Sequence, residues 1–253
     1  MTPRDVVTLR AVITGSASGL GSAATAYFLD RGARVAGLEI SPSGSTVSED
    51  CFKQFQMDIS DSGAVESSIA EAIRYLGGID AVVHCAGVAR VGAVADTSDA
   101  DWDTCMNVNA RGTFFLMRAV VPHLVAGGGG SIVNVASVTA THAMRSIAAY
   151  SASKGAVTAL TRSIARDYAA DGVRANAVLP GTMVTPMVRK TYGDRDADPD
   201  AALAAAGRAY PLGRLGSVDD VVPFLWHLSS PEAAWTTGGV FTVDGGLTAM
   251  AGV

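Results

Sequence analysis

Within Tyr150-Ser151-Ala152-Ser153-Lys154 lie the two residues whose types and spacing say most about chemistry. Positions four apart share one face of a helix, so the Tyr150 phenol and the Lys154 ammonium can enter one pocket together. That pairing is a proton-transfer device. A free phenol has a pKa of about 10, and bringing it to about 7 takes roughly 4 kcal/mol of selective stabilisation of the phenolate, part of which a nearby ammonium supplies. Upstream, the apolar run Ser131-Ile132-Val133-Asn134-Val135-Ala136 ends at Ser137, so a strand can deliver a hydroxyl to the same pocket. The bland alternative is a half-buried tyrosine beside a solvated lysine. The flanking elements decide between the two.

Residues 6–13 form a β-branched run that breaks into Thr14-Gly15-Ser16-Ala17-Ser18-Gly19-Leu20-Gly21, and residues 23–29 read as helix. Strand, glycine turn and helix in that order let backbone N–H groups approach a pyrophosphate, because glycines remove the Cβ atoms in the way and the helix dipole favours an anion. A second strand, residues 34–39, ends in Glu39, close to the spacing at which an acid holds an adenosine ribose. Its carboxylate would accept from both ribose hydroxyls and repel a 2′-phosphate, which favours NAD over NADP. Residues 52–57 form a third strand, after which Asp58 can face adenine. A fourth, residues 81–85, ends in Ala86-Gly87, small enough for a cofactor to lie against the backbone. His84, alone at that strand end with no partner motif beside it, reads as a hydrogen-bonded structural residue.

Residues 101–125 read as one long helix too apolar for a single buried face, interrupted by Asn109. The amide of Asn109 either satisfies neighbouring backbone or bends the helix and supports a water chain. Residues 149–170 form the helix that carries Tyr150 and Lys154, and a sixth strand over 174–179 stops at Pro180-Gly181. From 182 to 214 the text is irregular, with Pro186, Pro199 and Pro211, and is expected to be a substrate lid. A helix over 217–228, capped by Ser217, and a last strand over 240–243 complete an alternation of strand and helix. That alternation predicts a single α/β domain over 1–253 with a parallel, doubly wound sheet.

Length and composition agree with one large core, since 253 residues are 49% hydrophobic with 28 glycines. Three cysteines without Cys-x-x-Cys spacing argue for a reducing, cytoplasmic setting and against a zinc site. No window is long and apolar enough for a membrane span, and a net charge of −5 without basic, aromatic-interleaved clusters speaks against nucleic acid.

Taken together, Thr14-Gly15-x-x-x-Gly19-x-Gly21, Ala86-Gly87, Asn109, Ser137, Tyr150 with Lys154, and Pro180-Gly181 resemble the short-chain dehydrogenase/reductase family over nearly the whole chain. The resemblance implies a Rossmann-like fold of about seven strands, an NAD(P) cofactor and a homotetramer. It makes Tyr150 the acid/base, Ser137 the partner of the substrate oxygen, Lys154 the holder of the nicotinamide ribose, and Asn109 the support of a relay water. Ser18, Leu20, Ile59, Met183 and Thr185 join the glycines, Glu39 and Asp58 as expected cofactor contacts. Val138, Thr139, His142, Arg145, Met187 and Tyr192 are expected around the substrate. Two departures stand out: His84-Cys85 replace the usual paired asparagines, and the connection from Ile40 to Cys51 is short. The expected reaction is hydride transfer between NAD and a secondary alcohol. Its rivals are an NADPH-dependent reductase of an acyl-carrier-bound 3-oxo substrate, which Glu39 and the acidic balance disfavour, and an inactive regulatory relative, which would have no need of all four catalytic-type residues.

Overall fold

Runs such as Ala11-Val12-Ile13 and Ala81-Val82-Val83 have no polar face, so they need cover on both sides. The computed structural model describes residues 8–41, 50–193 and 197–249. Its strands are β1 (Arg10–Thr14), β2 (Arg34–Glu39), β3 (Phe52–Gln56), β4 (Ala81–His84), β5 (Gly130–Val135), β6 (Val173–Pro180) and β7 (Val240–Val243). They form one parallel sheet in the order β3-β2-β1-β4-β5-β6-β7. The helices are α1 (Gly19–Asp30), α2 (Ser62–Leu76), α3 (Asp99–Cys105), α4 (Gly112–Ala126), α5 (Ala148–Tyr168), α6 (Pro186–Gly193), α7 (Pro199–Arg208) and α8 (Val222–Ser229).

Side-chain alternation sorts the strands between two cores. Ala11, Ile13, Val83 and Val133 pack with Phe28 of α1 and Leu225 of α8, whereas Val12, Val82 and Ile132 pack with Ile69 of α2, Leu116 of α4 and Ile164 of α5. The strand order reverses at β1, between β2 and β4. In open parallel sheets the crevice beyond the carboxyl ends at such a point is where ligands bind. No helix of the described residues is long and apolar enough to cross a membrane.

Three expectations need revision. Residues 101–125 are not one regular helix, because Met106–Arg111 is a π-helical turn joining α3 to α4. The stretch from 182 to 214 is less irregular than its prolines suggest. Pro186 and Pro199 each open a helix, α6 and α7, at a position where a proline loses no hydrogen bond and its fixed φ suits the turn. The helix expected from 217 begins as a 3₁₀ turn, Val218–Asp220, under a capping box of Ser217 and Asp220, and only then becomes α8. The short connection after Ile40 lies mostly at 42–49, outside the described residues, as do Val6 and Val7.

Candidate active site

The chain leaves β1 through Gly15 (φ +70°) and enters α1 at Gly19 (φ +51°), backbone conformations that a Cβ disfavours. Gly21 is demanded by contact, since a Cβ there would stand 2.2 Å from the Gly15 carbonyl oxygen. Beyond the strand ends lies a cavity of ≈ 300 Å³. Gly15, Ser18, Gly19 and Leu20 of the turn wall it on one side, with Glu39 at the end of β2 and Asp58 and Ile59 after β3. Ala86, Gly87, Pro180, Gly181, Met183 and Thr185 continue the wall, and Tyr150 and Lys154 complete it. Each residue read from sequence as a cofactor contact thus borders one cavity.

Glu39 is already oriented. Its carboxylate accepts from the Ala17 N–H at 3.1 Å and the Ile40 N–H at 2.9 Å, which leaves further lone pairs for a ligand. The arginines that open β1 and β2 are occupied at the other end of the sheet. Arg10 pairs with Asp80 at 2.6 Å, and Arg34 donates to the carbonyls of Tyr75 and Leu76. A turn that brings backbone N–H groups to an anion, glycines where a side chain would intrude, and an acid at the end of β2 fit a dinucleotide.

At the chemical end, Ser137, just past β5, and Tyr150 of α5 border the same cavity, with the Ser137 hydroxyl near enough to the phenol to favour its charged form. Lys154, buried one turn along α5, donates to the Val135 carbonyl at 2.9 Å. Burial pushes the Tyr150 phenol up to about 12, against a lowering by Ser137, and pulls the Lys154 ammonium down to about 8. The expectation that Lys154 lowers the Tyr150 pKa is therefore not met by the chain alone. The ammonium is turned to a β5 carbonyl, with its Nζ 5.8 Å from the centre of the Tyr150 ring.

For Asn109 the structure shows the first of the two sequence alternatives. Its Oδ1 accepts from the Val88 N–H at 2.8 Å, and its Nδ2 donates to the Val88 carbonyl at 2.8 Å and to Ser153 Oγ at 2.9 Å. The amide satisfies backbone, and the helix passes around it as a π turn, a departure frequent at functional sites. Gly87 is small for the same reason: a Cβ there would meet Asn109 Oδ1 at 3.0 Å and Lys154 Nζ at 3.3 Å.

The substrate expectations divide. Ser137 and Met187 border the cavity, joined by Val188, which sequence reasoning missed. Val138 does not, because the 3₁₀ turn at Val138–Ala140 carries it into the core with Leu179. Thr139, His142, Arg145 and Tyr192 also lie off the cavity wall, Thr139 buried and Arg145 exposed. The loop that carries Arg145 is pinned, since the Ser146 carbonyl accepts from the Gly92 N–H at 2.8 Å and Ser146 holds a φ of +58°. Thr14 was also missed, although it opens the glycine motif; its Oγ1 accepts from the N–H groups of Cys85 and Ala86.

A family model described as enoyl-(acyl carrier protein) reductase matches residues 15–248. The chain belongs to the short-chain dehydrogenase/reductase family. It is 34% identical over 245 residues to 2-(S)-hydroxypropyl-CoM dehydrogenase 3 of Xanthobacter autotrophicus, covering 94% of this chain and 96% of the relative. The 3-oxoacyl-[acyl-carrier-protein] reductase FabG of Thermotoga maritima is 34% identical over 243 residues, with 93% and 96% covered. Among solved structures, the aldohexose dehydrogenase of Thermoplasma acidophilum superposes with a TM-score of 0.91 at 31% identity, covering 97% of this chain and 96% of that one. Short-chain dehydrogenases of this kind are oxidoreductases that use a nicotinamide cofactor.

Proposed function

We propose that this short-chain dehydrogenase transfers hydride reversibly between NAD and a secondary alcohol or its ketone. The observation that carries the reading is the convergence of Ser137, Tyr150 and Lys154 on the wall of the cavity that the glycine turn and Glu39 also line, with Asn109 braced behind Gly87. The nicotinamide ring, when bound, supplies the hydride acceptor or donor. In the oxidative direction the Tyr150 oxygen takes the proton of the alcohol hydroxyl, while the Ser137 hydroxyl hydrogen-bonds the same substrate oxygen and fixes its distance from the phenol. Lys154 is one turn from Tyr150, close enough to favour the phenolate once its ammonium leaves Val135. Met183, Met187 and Val188, at the head of the segment from 182 to 214, give the reacting carbon an apolar cover, so that segment is the proposed lid. The Xanthobacter relative is named for a secondary alcohol, which agrees with this class.

The test is an oxidation screen of varied secondary alcohols with NAD, read by NADH absorbance. Turnover of at least one class is expected. Dinucleotide binding without turnover of any alcohol or ketone would instead favour the non-catalytic reading. The acyl-carrier reductase reading keeps a specific support in the Thermotoga relative, and the cofactor preference separates it.

Two further predictions follow the same reading. Arg145 is exposed, has no hydrogen-bond or ion-pair partner among the described residues, and stands in the loop between Ser137 and Tyr150. A guanidinium fork in that loop suits a carboxylate, phosphate or sulfonate on the substrate. Arg145→Ala is expected to raise KM for the best anionic substrate about 10- to 100-fold and leave neutral alcohols unchanged, at about 1.4 kcal/mol per factor of ten. Equal losses on both classes would make Arg145 a loop brace. The second prediction is quaternary. Trp102 and Phe114 are 44% and 45% exposed on α3 and α4, apolar surface that suits burial between subunits of a cytoplasmic homotetramer. Light scattering at micromolar concentration should give an assembly of four chains, and a monomer would refute it.

A further inference from the structure

His84 is buried at the end of β4, and both of its ring nitrogens are bonded. The directions of those bonds can be worked out from the groups at each end. Thr14 Oγ1 accepts from the Cys85 N–H at 3.1 Å and the Ala86 N–H at 3.0 Å, which uses both of its lone pairs. Its own proton therefore goes to His84 Nδ1, 2.7 Å away. On the other side, the Thr113 hydroxyl donates to the Asn109 carbonyl in the π turn. The Thr113 oxygen is thus left to accept from His84 Nε2 at 2.8 Å. A neutral imidazole with its proton on Nε2 satisfies every group in this row. A second proton on Nδ1 would face the Thr14 oxygen with no lone pair to receive it, and burial, helped by the Lys154 charge, holds the imidazole pKa down to about 3.

Both ends of the row bear on the site. The backbone of Cys85 and Ala86 walls the cavity and lies directly against the glycine turn, where a Cβ on Gly15 would come within 3.1 Å of the Ala86 nitrogen. At the other end, the carbonyl belongs to Asn109, whose amide braces Val88 beside Gly87. We propose that His84 is a positioning residue: as the Nε2–H tautomer it ties the cofactor-side backbone at Cys85 and Ala86 to the π turn of Asn109, and so holds the two sides of the reaction chamber in register. His84 itself lies off the cavity wall, so it acts through Thr14 and Thr113. The kinetic consequence rests on the hydride-transfer reading above, whereas the tautomer and the cofactor affinity do not rest on turnover.

The experiment has two arms on the full chain. In the first, ¹⁵N-histidine spectra are recorded from pH 5.5 to 8, with the other three of the four histidines identified from His123→Gln, His142→Gln and His227→Gln samples. His84 is expected to carry its proton on Nε2 throughout. A proton on Nδ1, or titration near the ordinary value of about 6.5, overturns the proposal. In the second arm, Thr113→Val cuts only the Asn109 side and His84→Phe, of similar bulk, cuts both. Thr113→Val should lower kcat about 10-fold at unchanged NADH affinity. His84→Phe should lower kcat about 10- to 100-fold and weaken NADH about 10-fold, and the double variant should be no worse than His84→Phe. Wild-type kcat and NADH affinity in both variants would reduce His84 to core packing and overturn the proposal. Should the wild-type chain turn over no alcohol, the hydride-transfer reading fails, yet the tautomer and the NADH titrations still decide this one. Should His84→Phe not fold, Thr113→Val and the spectra carry the test.

Discussion

Replacing Tyr150 by phenylalanine is expected to lower kcat for alcohol oxidation by about 10²- to 10⁴-fold, the range that a positioned acid/base supplies, while NADH still binds. The ring remains in α5 and only the transferable proton is lost, so the effect should fall on kcat and kcat/KM together and spare the cofactor. Stopped-flow or steady-state assays beside an NADH fluorescence titration measure both, and activity near the wild-type level would sink the assignment. The pH dependence follows from the same group. Burial holds the phenol up near 12, so at neutral pH it carries its proton and is ready to act as the acid in ketone reduction. Oxidation needs the deprotonated form, whose fraction rises about tenfold per pH unit below the pKa. Oxidation should therefore accelerate from pH 6 to about 8, the range over which Lys154 keeps its ammonium, while reduction does not. A reduction rate that rises in parallel would mean that another group delivers the proton.

What the sequence made legible was local. A strand, a glycine turn and a helix follow one another in the text, and so do Tyr150 and Lys154 on one helix face; periodicity and turn chemistry report such neighbours directly. Asn109 was visible as a polar residue in an apolar helix, but its partner Val88 was not, because a hydrogen bond between distant segments leaves no periodic trace. The same holds for the turn of the Lys154 ammonium to Val135 and for the row from Thr14 through His84 to Thr113. His84 was read as a bonded structural residue, yet nothing in its neighbours could name the bonds. The two helices within 182 to 214 are hidden in the sequence for another reason. Proline breaks a helix in its interior but starts one at its first turn, as Pro186 and Pro199 do, and only the residues around them distinguish the two uses. Val138 follows Ser137 in sequence, but the 3₁₀ turn there points successive side chains in different directions and sends it into the core.

Cofactor choice should be decided at Glu39, with kcat/KM for NAD exceeding that for NADP by about 100-fold or more. Both carboxylate oxygens of Glu39 are held by backbone N–H groups, from Ala17 and Ile40, so the charge cannot swing away from the ribose without losing two charge-assisted hydrogen bonds. A 2′-phosphate would bring its own negative charge against that fixed one. Two unit charges about 4 Å apart interact by about 4 kcal/mol at an effective dielectric of 20, and at about 1.4 kcal/mol per factor of ten even two-thirds of that gives a 100-fold preference. Among the described residues no arginine lines the cavity, the sequence from 35 to 52 contains no lysine or arginine, and Arg10 and Arg34 are committed at the opposite ends of β1 and β2. Glu39→Gln keeps the shape and removes the charge, so it should bring the NAD-to-NADP ratio of kcat/KM down by about 10-fold or more, chiefly by improving NADP. A wild-type preference for NADP would overturn the ribose assignment and favour the acyl-carrier reductase reading. A preference for NAD that Glu39→Gln leaves untouched would mean that discrimination lies elsewhere on the cavity wall.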